Sequence, residues 1–345
     1  MSLFLDVALG KDTARAPVWI MRQAGRYLPE YRAIKERYGF FEMCRNPEAV
    51  TEVTLQPVRR FDLDAAILFS DIMVPLAAMG VDIDFAPGPV IAHPIRSAAD
   101  VARLRVPDQE EIAPFVAAAI PMVREAAHVP LIGFAGAPLT LAAYLVESGG
   151  SGDGFPALRS WLHQQPTAAH ALLGKLTEVT IRYLRMQVSA GANAIQLFDS
   201  WAGVHPSALY ARFGRPYAAR VLAGLGDLSV PRIYFGTNTH HLLEQLATLP
   251  AEVIGVDWRA PLSAVRPALP ARTLQGNLDP TVLTADPDLI TELAHDVLRH
   301  GIGGPHIFNL GHGIRPDVPP DHVSHLIEAV RSFDRRQAAT HRETR

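Results

Sequence analysis

Eight short apolar or β-branched runs punctuate the sequence, each separated from the next by a segment long enough to hold a helix. They are PVWIM (17–21), AAILFS (65–70), PLIGFA (130–135), AIQLFD (194–199), RIYFGT (232–237), VIGVDW (253–258), RTLQGN (272–277) and PHIFNL (305–310). Continuous runs of this length fit strands buried on both faces, as in a parallel sheet. The intervening stretches carry helical periodicity, as in LLGKLTEVTIRYLRMQV and PDLITELAHDVLRH, with proline and glycine at their ends. Eight such alternations predict an α/β fold, a single (β/α)8 TIM-type barrel. The 345 residues exceed the roughly 250 typical of such barrels, so distortion is expected, with extra N-terminal helices and long loops in 22–60 and 72–128. An open doubly wound sheet is the alternative, but no GxGxxG follows the first run. One domain is expected to span 1–345, with flexible tails at 1–14 and 333–345.

Composition narrows the function. No apolar run approaches the roughly 18 to 20 residues of a membrane span, and MSLFLDVALGKD lacks the basic start and long apolar stretch of a secretory signal. A cytoplasmic protein is expected. Cys44 is the sole cysteine, which rules out an internal disulfide and any multi-cysteine zinc or iron–sulfur site. A net charge of -3 argues against a broad nucleic-acid or membrane footprint. Lysine occurs only at Lys11, Lys35 and Lys175, and every other basic side chain apart from histidine is arginine. A GC-rich genome would produce that bias; so would recognition of carboxylates, which the planar guanidinium fork binds bidentately.

In a (β/α)8 barrel the reactive groups stand at the carboxyl ends of the strands. The residues there are Arg22, Gln23 and Arg26; Ser70 and Asp71; Gly136 to Thr140 and Tyr144; Asp199 and Ser200; Asp257 and Trp258; Gln275, Asn277 and Asp279; Asn309 and His312. Arg22 and Arg26 either grip an anion or form surface pairs with Glu30 or Glu36. Asp71 is either a reactive carboxylate or an N-cap for IMVPLAAMG. Asp199 and Ser200 carry the same ambiguity, while Asp62 and Asp64 belong to the turn before the second strand. The start of the helix after GFAGAP offers backbone N–H groups to an anion. Tyr144 is either a core tyrosine or a ligand contact, and His312 stands between two glycines that let the chain turn sharply. His240 and His241 lack an HxH or HExxH pattern and read as surface or capping groups. No metal is expected, and none of the three lysines lies at a strand end where Schiff-base chemistry would need it. The residues alone indicate a cofactor-independent barrel enzyme acting on a carboxylated anion.

PVWIMRQAGRYLPEYR and GFAGAPLTLAAY resemble the two signature segments of the uroporphyrinogen decarboxylase family. TLQPVRRFDLDAAILFSDIMVPLAAMG, GANAIQLFDSWAG, VIGVDW, TLQGNLDP and NLGHGI resemble it in order and spacing, so the likeness runs from about 15 to 330. It implies a distorted barrel, usually a homodimer, that converts uroporphyrinogen III to coproporphyrinogen III without a cofactor. It further implies that Arg22 and Arg26 bind substrate carboxylates and that Asp71 accepts the pyrrole N–H groups. Tyr144, Ser200 and His312 would contact other substituents, and Gln23, Ile67, Phe134 and Phe198 would line the cleft. Asp71 and Arg22 would be the catalytic pair, with Arg22 or a water on it as proton donor. Leu139 replaces the signature's usual aromatic residue and Ser148 a common glycine, which bears on pocket shape. The rivals are a zinc-dependent methyltransferase on the same barrel, which needs a histidine and two cysteines, and a tetrapyrrole carrier that binds without reaction.

Overall fold

The computed structural model describes residues 2–85, 88–150 and 153–343. Strand β1 (Ala66–Ile67) is followed by an antiparallel hairpin, β2 (Ile83–Phe85) and β3 (Pro89–Ile91), and then by β4 (Leu131–Gly136), β5 (Ala194–Asp199), β6 (Arg232–Gly236), β7 (Val253–Gly255), β8 (Thr273–Gln275) and β9 (His306–Ile307). All but the hairpin form one parallel sheet in the order β1-β4-β5-β6-β7-β8-β9. Helices lie between successive strands, the longest being Pro166–Ser189 between β4 and β5. The surplus length falls where expected, as helices Pro29–Tyr38, Phe40–Arg45 and Pro47–Arg60 before β1 and as the hairpin after it.

The first expected strand, PVWIM, does not form one. Val18 makes a single parallel bridge to Phe308, and Phe308 N–H donates to Pro17 O at 2.8 Å. On the other side Asp64 N–H donates to Val18 O at 2.8 Å. Proline has no N–H to give a ladder, and the Val18 N–H goes to the Asp64 carboxylate (2.8 Å) rather than to a strand. Arg15 grips that carboxylate with both Nη atoms, each at 2.8 Å. This irregular stave joins the two edges of the curled sheet. Asp64 thus belongs to the turn before β1, as expected, and also fastens the seam.

Inside the barrel, Trp19 Nε1 donates to Gln275 Oε1 (3.1 Å) and Gln275 Nε2 to Gln196 Oε1 (3.0 Å). Two residues along β5 from Gln196, on the same face, Phe198 meets Phe134 and Phe235 edge-on at 5.5 and 5.8 Å. Side chains therefore fill the barrel up to its carboxyl-end mouth, leaving chemistry to the rim.

The terminal segments are more structured than the expected flexible tails. Leu3–Ala8 is a helix with Phe4, Val7 and Ala8 buried, and Thr273 Oγ1 at the start of β8 donates to Val7 O (2.8 Å). Its apolar face covers the amino-end floor of the barrel, which is why it does not fray. Arg335–Glu343 is also helical, and Arg335, 4% exposed, donates to Gly301 O and Gly304 O. Residues 344 and 345 lie outside the described residues.

Candidate active site

The loop after the first stave turns sharply at Arg22, whose backbone is left-handed (φ 62°). That conformation is costly for a residue with a Cβ. It presents the Arg22 side chain outward while Gln23 turns in. Neither Arg22 nor Arg26 is ion-paired among the described residues; Glu30, one of the two expected partners, pairs with Arg60 at 3.4 Å. Both guanidiniums are exposed.

Asp71 follows β1 at the rim. One carboxylate oxygen, Oδ1, accepts the Met73 N–H at 2.8 Å, and Asp71 O accepts Val74 N–H at 3.2 Å, opening the 3-10 helix Val74–Met79. Asp71 therefore holds the turn that leads into this helix, and among the described residues its Oδ2 accepts no hydrogen bond. Desolvation raises the Asp71 pKa above the usual carboxylate value, and the Met73 N–H and the Arg22 charge oppose it. Tyr144 lies in the field of the same two groups, Asp71 and Arg22; burial raises its hydroxyl's pKa, with the Trp201 indole opposing. Its ring meets Phe155 and Trp201 edge-on at 6.1 and 6.4 Å.

His312 completes the group from the loop after β9. Its pKa is lowered to about 4 by burial first and by the Arg22 and Arg259 charges next, with Asp257 opposing. Its ring is edge-on to Trp258 at 6.3 Å. At neutral pH His312 is uncharged. The flanking glycines have negative φ, so they do not serve the sharp turn expected of them. They give close approach instead: a Cβ at Gly311 would stand 2.4 Å from Trp258 N, and one at Gly313 would stand 2.3 Å from Arg22 Cδ.

Four expected contacts, Arg22, Asp71, Tyr144 and His312, therefore share one electrostatic neighbourhood. Arg26 does not join it; its charge is felt by Tyr31 instead. Ser200 is half-buried after β5, its carbonyl accepting the Thr237 hydroxyl. Ile67, Phe134 and Phe198 form apolar wall, the first two 7% and 8% exposed and Phe198 more open. Gln23 departs from expectation: it is fully buried, its amide accepting Ile20 N–H (3.1 Å) and donating to Ala65 O (3.2 Å). It fastens the first stave to β1 and sets Arg22 in place.

Other strand-end polar groups are also brackets. Asp199, fully buried, accepts from Thr140 Oγ1 (2.8 Å) and Tyr234 Oη (3.0 Å), and Thr140 Oγ1 accepts Trp201 N–H (3.3 Å). The anion met by the first turn of helix Pro138–Glu147 is thus the protein's own carboxylate, and Pro138, Leu139 and Thr140 are buried. Asn309 Oδ1 accepts Met21 N–H (2.9 Å), and Asn277 Nδ2 donates to Asp257 O and Ala260 O, both at 2.7 Å. Leu139 is buried and packs toward Gly214, between the helices Ser207–Phe213 and Arg215–Ala223. An open groove of about 280 Å³ between Glu30, Glu52, Gln56, Arg59 and Arg60 lies on the outer helices, its charges paired with one another.

The sequence profile described as Uroporphyrinogen decarboxylase (URO-D) matches residues 1–333. The chain belongs to the uroporphyrinogen decarboxylase family. It is 46% identical over 331 residues to the uroporphyrinogen decarboxylase of Syntrophotalea carbinolica, covering 95% of this chain and 96% of that one. The Nocardioides sp. uroporphyrinogen decarboxylase is 47% identical over 339 residues, 97% of each chain. Among solved structures, a methyltransferase from Methanosarcina mazei superposes with TM-score 0.81 at 22% identity, covering 96% of this chain and 99% of that one. A B12-independent methionine synthase from Shewanella sp. gives 0.58 at 10% identity, covering 98% and 99%. Identities this low show the barrel fold alone.

Within this uroporphyrinogen decarboxylase family member, sequence reasoning missed Arg259, Trp201 and Phe155. Arg259 lies one residue beyond the last strand-end residue considered there, among many other arginines. Trp201 and Phe155 support Tyr144 from loops whose register the sequence pattern does not fix. Among the described residues no group of three or more His, Cys, Asp or Glu could hold a metal ion, and Cys44 is buried.

Proposed function

We propose that this chain removes the four acetate carboxyl groups of uroporphyrinogen III, leaving methyls and giving coproporphyrinogen III and CO2, in tetrapyrrole biosynthesis. The observation that carries the reading, beside family membership, is Asp71 at the rim with one oxygen committed to Met73 N–H, the other free, and the unpaired Arg22 in its field.

The substrate supplies its own electron sink. Protonation of the pyrrole carbon next to the one that bears the acetate arm makes the ring cationic, with the arm-bearing carbon electron-deficient. The C–CO2 bond then breaks, its electron pair forming an exocyclic C=C as the ring regains neutrality. The methylene carbon takes a proton to become methyl, and the ring carbon gives its proton back, so each turn consumes one proton net. Ionised Asp71 stabilises the cationic ring and accepts pyrrole N–H groups, an electrostatic contribution of about 3 kcal/mol. Arg22 binds a carboxylate. Since His312 is neutral at pH 7, the proton is assigned to Arg22 or a water on it rather than to the imidazole.

Arg26 binds a peripheral carboxylate, Tyr144, Ser200 and His312 contact other substituents, and Ile67, Phe134 and Phe198 form the apolar wall. Gln23 acts through Arg22. The chemistry needs no cofactor. The protein is taken as one domain working as a homodimer in the cytoplasm; no described helix is long and apolar enough to cross a membrane. The methyltransferase reading is disfavoured because its zinc needs two cysteines and the chain has one.

The test is anaerobic incubation with freshly reduced uroporphyrinogen, following eight- to four-carboxyl species by chromatography. Stepwise conversion to the four-carboxyl species is expected. A chain that binds the eight-carboxyl species and leaves it unchanged is a carrier.

A further inference from the structure

A fixed cation stands on the same rim and takes no part in the mechanism above. Arg259 follows β7, its guanidinium 4.2 Å from the centre of the Trp258 ring. His312 packs edge-on to the same ring, at 6.3 Å between centroids. Arg259 Nη1 is bonded to Asp257 Oδ2, and Arg259 N–H donates to Asp257 Oδ1 at 3.2 Å. Asp257 is 4% exposed and also accepts Asn238 N–H. Asn277, 5% exposed, ties Asp257 O and Ala260 O from below. The loop that carries Arg259 is therefore held at both ends.

A guanidinium has five N–H donors in a planar fork. Asp257 takes one, through Nη1, and the Arg259 side chain is still 47% exposed. Stacking on Trp258 and anchoring to Asp257 fix the plane of the fork before any ligand arrives, which lowers the ordering cost of binding. An ordinary surface arginine paired to an exposed acid has neither restraint. Arg259 and Arg22 both bear on His312, whereas only Arg22 bears on Asp71. Arg259 is joined to His312 through the shared Trp258 ring, whereas Arg22 stands between His312 and Asp71 in charge terms.

We propose that Arg259 is a specificity-determining residue that binds a substrate carboxylate remote from the ring undergoing decarboxylation. The arm it holds is one that survives the reaction. This rests on the decarboxylase reading of the site. Binding energy on a remote group is felt equally in ground and transition states, so it enters KM and not kcat.

The experiment compares wild type, Arg259→Gln and Arg259→Lys by anaerobic kinetics with uroporphyrinogen and by equilibrium binding of coproporphyrinogen, with thermal melts alongside. Arg259→Gln is expected to raise KM about tenfold, keep kcat within about twofold, and weaken coproporphyrinogen binding about tenfold, because the held arm persists in the product. Arg259→Lys restores charge without the fork and recovers only part of the loss. Unchanged KM and product affinity in Arg259→Gln would overturn the proposal, and so would a fall in kcat at constant KM, which marks a merely structural residue. Should Arg259→Gln melt early, Arg259→Lys decides through the same KM-against-kcat split. A wild-type chain that binds both tetrapyrroles without turnover sinks the decarboxylase reading alone, since the binding arm still reports on Arg259.

Discussion

The Arg22 side chain lies directly on the Cα of Gly313, so close that a methyl there would stand 2.3 Å from Arg22 Cδ. The obstacle is a flexible side chain, not backbone. Gly313→Ala should therefore move Arg22 rather than unfold the barrel, leaving the melting temperature nearly unchanged while kcat/KM falls about 10- to 100-fold. Gly311→Ala meets the Trp258 backbone nitrogen at 2.4 Å instead and should cost about 2 to 3 kcal/mol of stability. Chemical denaturation beside steady-state kinetics separates the two; equal stability losses in both variants would contradict the assignment.

Acid should destabilise the fold well before ordinary carboxylates protonate. Burial lowers the pKa of His205 to about 4 and of His306 to about 3, and both are essentially unexposed. Their contribution is complete above the unfolded value near 6.5 and is lost as pH falls toward the folded values. Asp199 works the other way. Raised to about 6, it favours the folded state as pH falls through 6 toward its unfolded value of 3.8. His312, lowered to about 4, acts with the two histidines, and Asp71, raised by burial, acts with Asp199; the three histidines outweigh the two aspartates, so denaturation midpoints should drop between about pH 6.5 and 4. His306→Gln, which can still donate to Gly276 O, should flatten part of that drop.

The barrel seam depends on Asp64. Its carboxylate holds Arg15 bidentately and the Val18 N–H where no strand ladder exists. Asp64→Ala leaves those donors without partners in a partly buried site and should cost about 3 kcal/mol, read by urea unfolding. A loss below about 1 kcal/mol would mean the seam is held elsewhere.

Strand periodicity and motif order carried the seven regular strands, the extra N-terminal helices, and the meeting of Arg22, Asp71, Tyr144 and His312. The eighth strand failed because Pro17 and the Asp64 carboxylate take it out of the ladder, a tertiary event invisible in an apolar run. The ambiguity over Asp199 resolves by strand alternation: neighbours in a strand face opposite ways, so an inward Phe198 sends Asp199 outward to Thr140 and Tyr234. The family resemblance implies Gln23 as cleft lining, but the left-handed turn at Arg22 separates the two side chains' directions. Ser148, where glycine is common, sits at φ 68° after the helix Pro138–Glu147 and offsets that strain by donating Oγ to Ile91 O at 2.7 Å. Its effect is on the hairpin rather than on the pocket.

The central claim is that an ionised Asp71 steadies a cationic ring, and the saturating rate of Asp71→Asn tests it most directly. Anaerobic uroporphyrinogen at saturation should be consumed about 100- to 1000-fold more slowly than by wild type, with KM little changed. Because desolvation raises the Asp71 pKa in the folded state, the charge it loses is one the fold disfavours, so the variant should melt no earlier than wild type. The wild-type rate should also decline as pH falls through a pKa above the usual carboxylate value, a limb that Asp71→Asn lacks. An Asp71→Asn chain that converts the eight-carboxyl species at the wild-type rate would contradict the account.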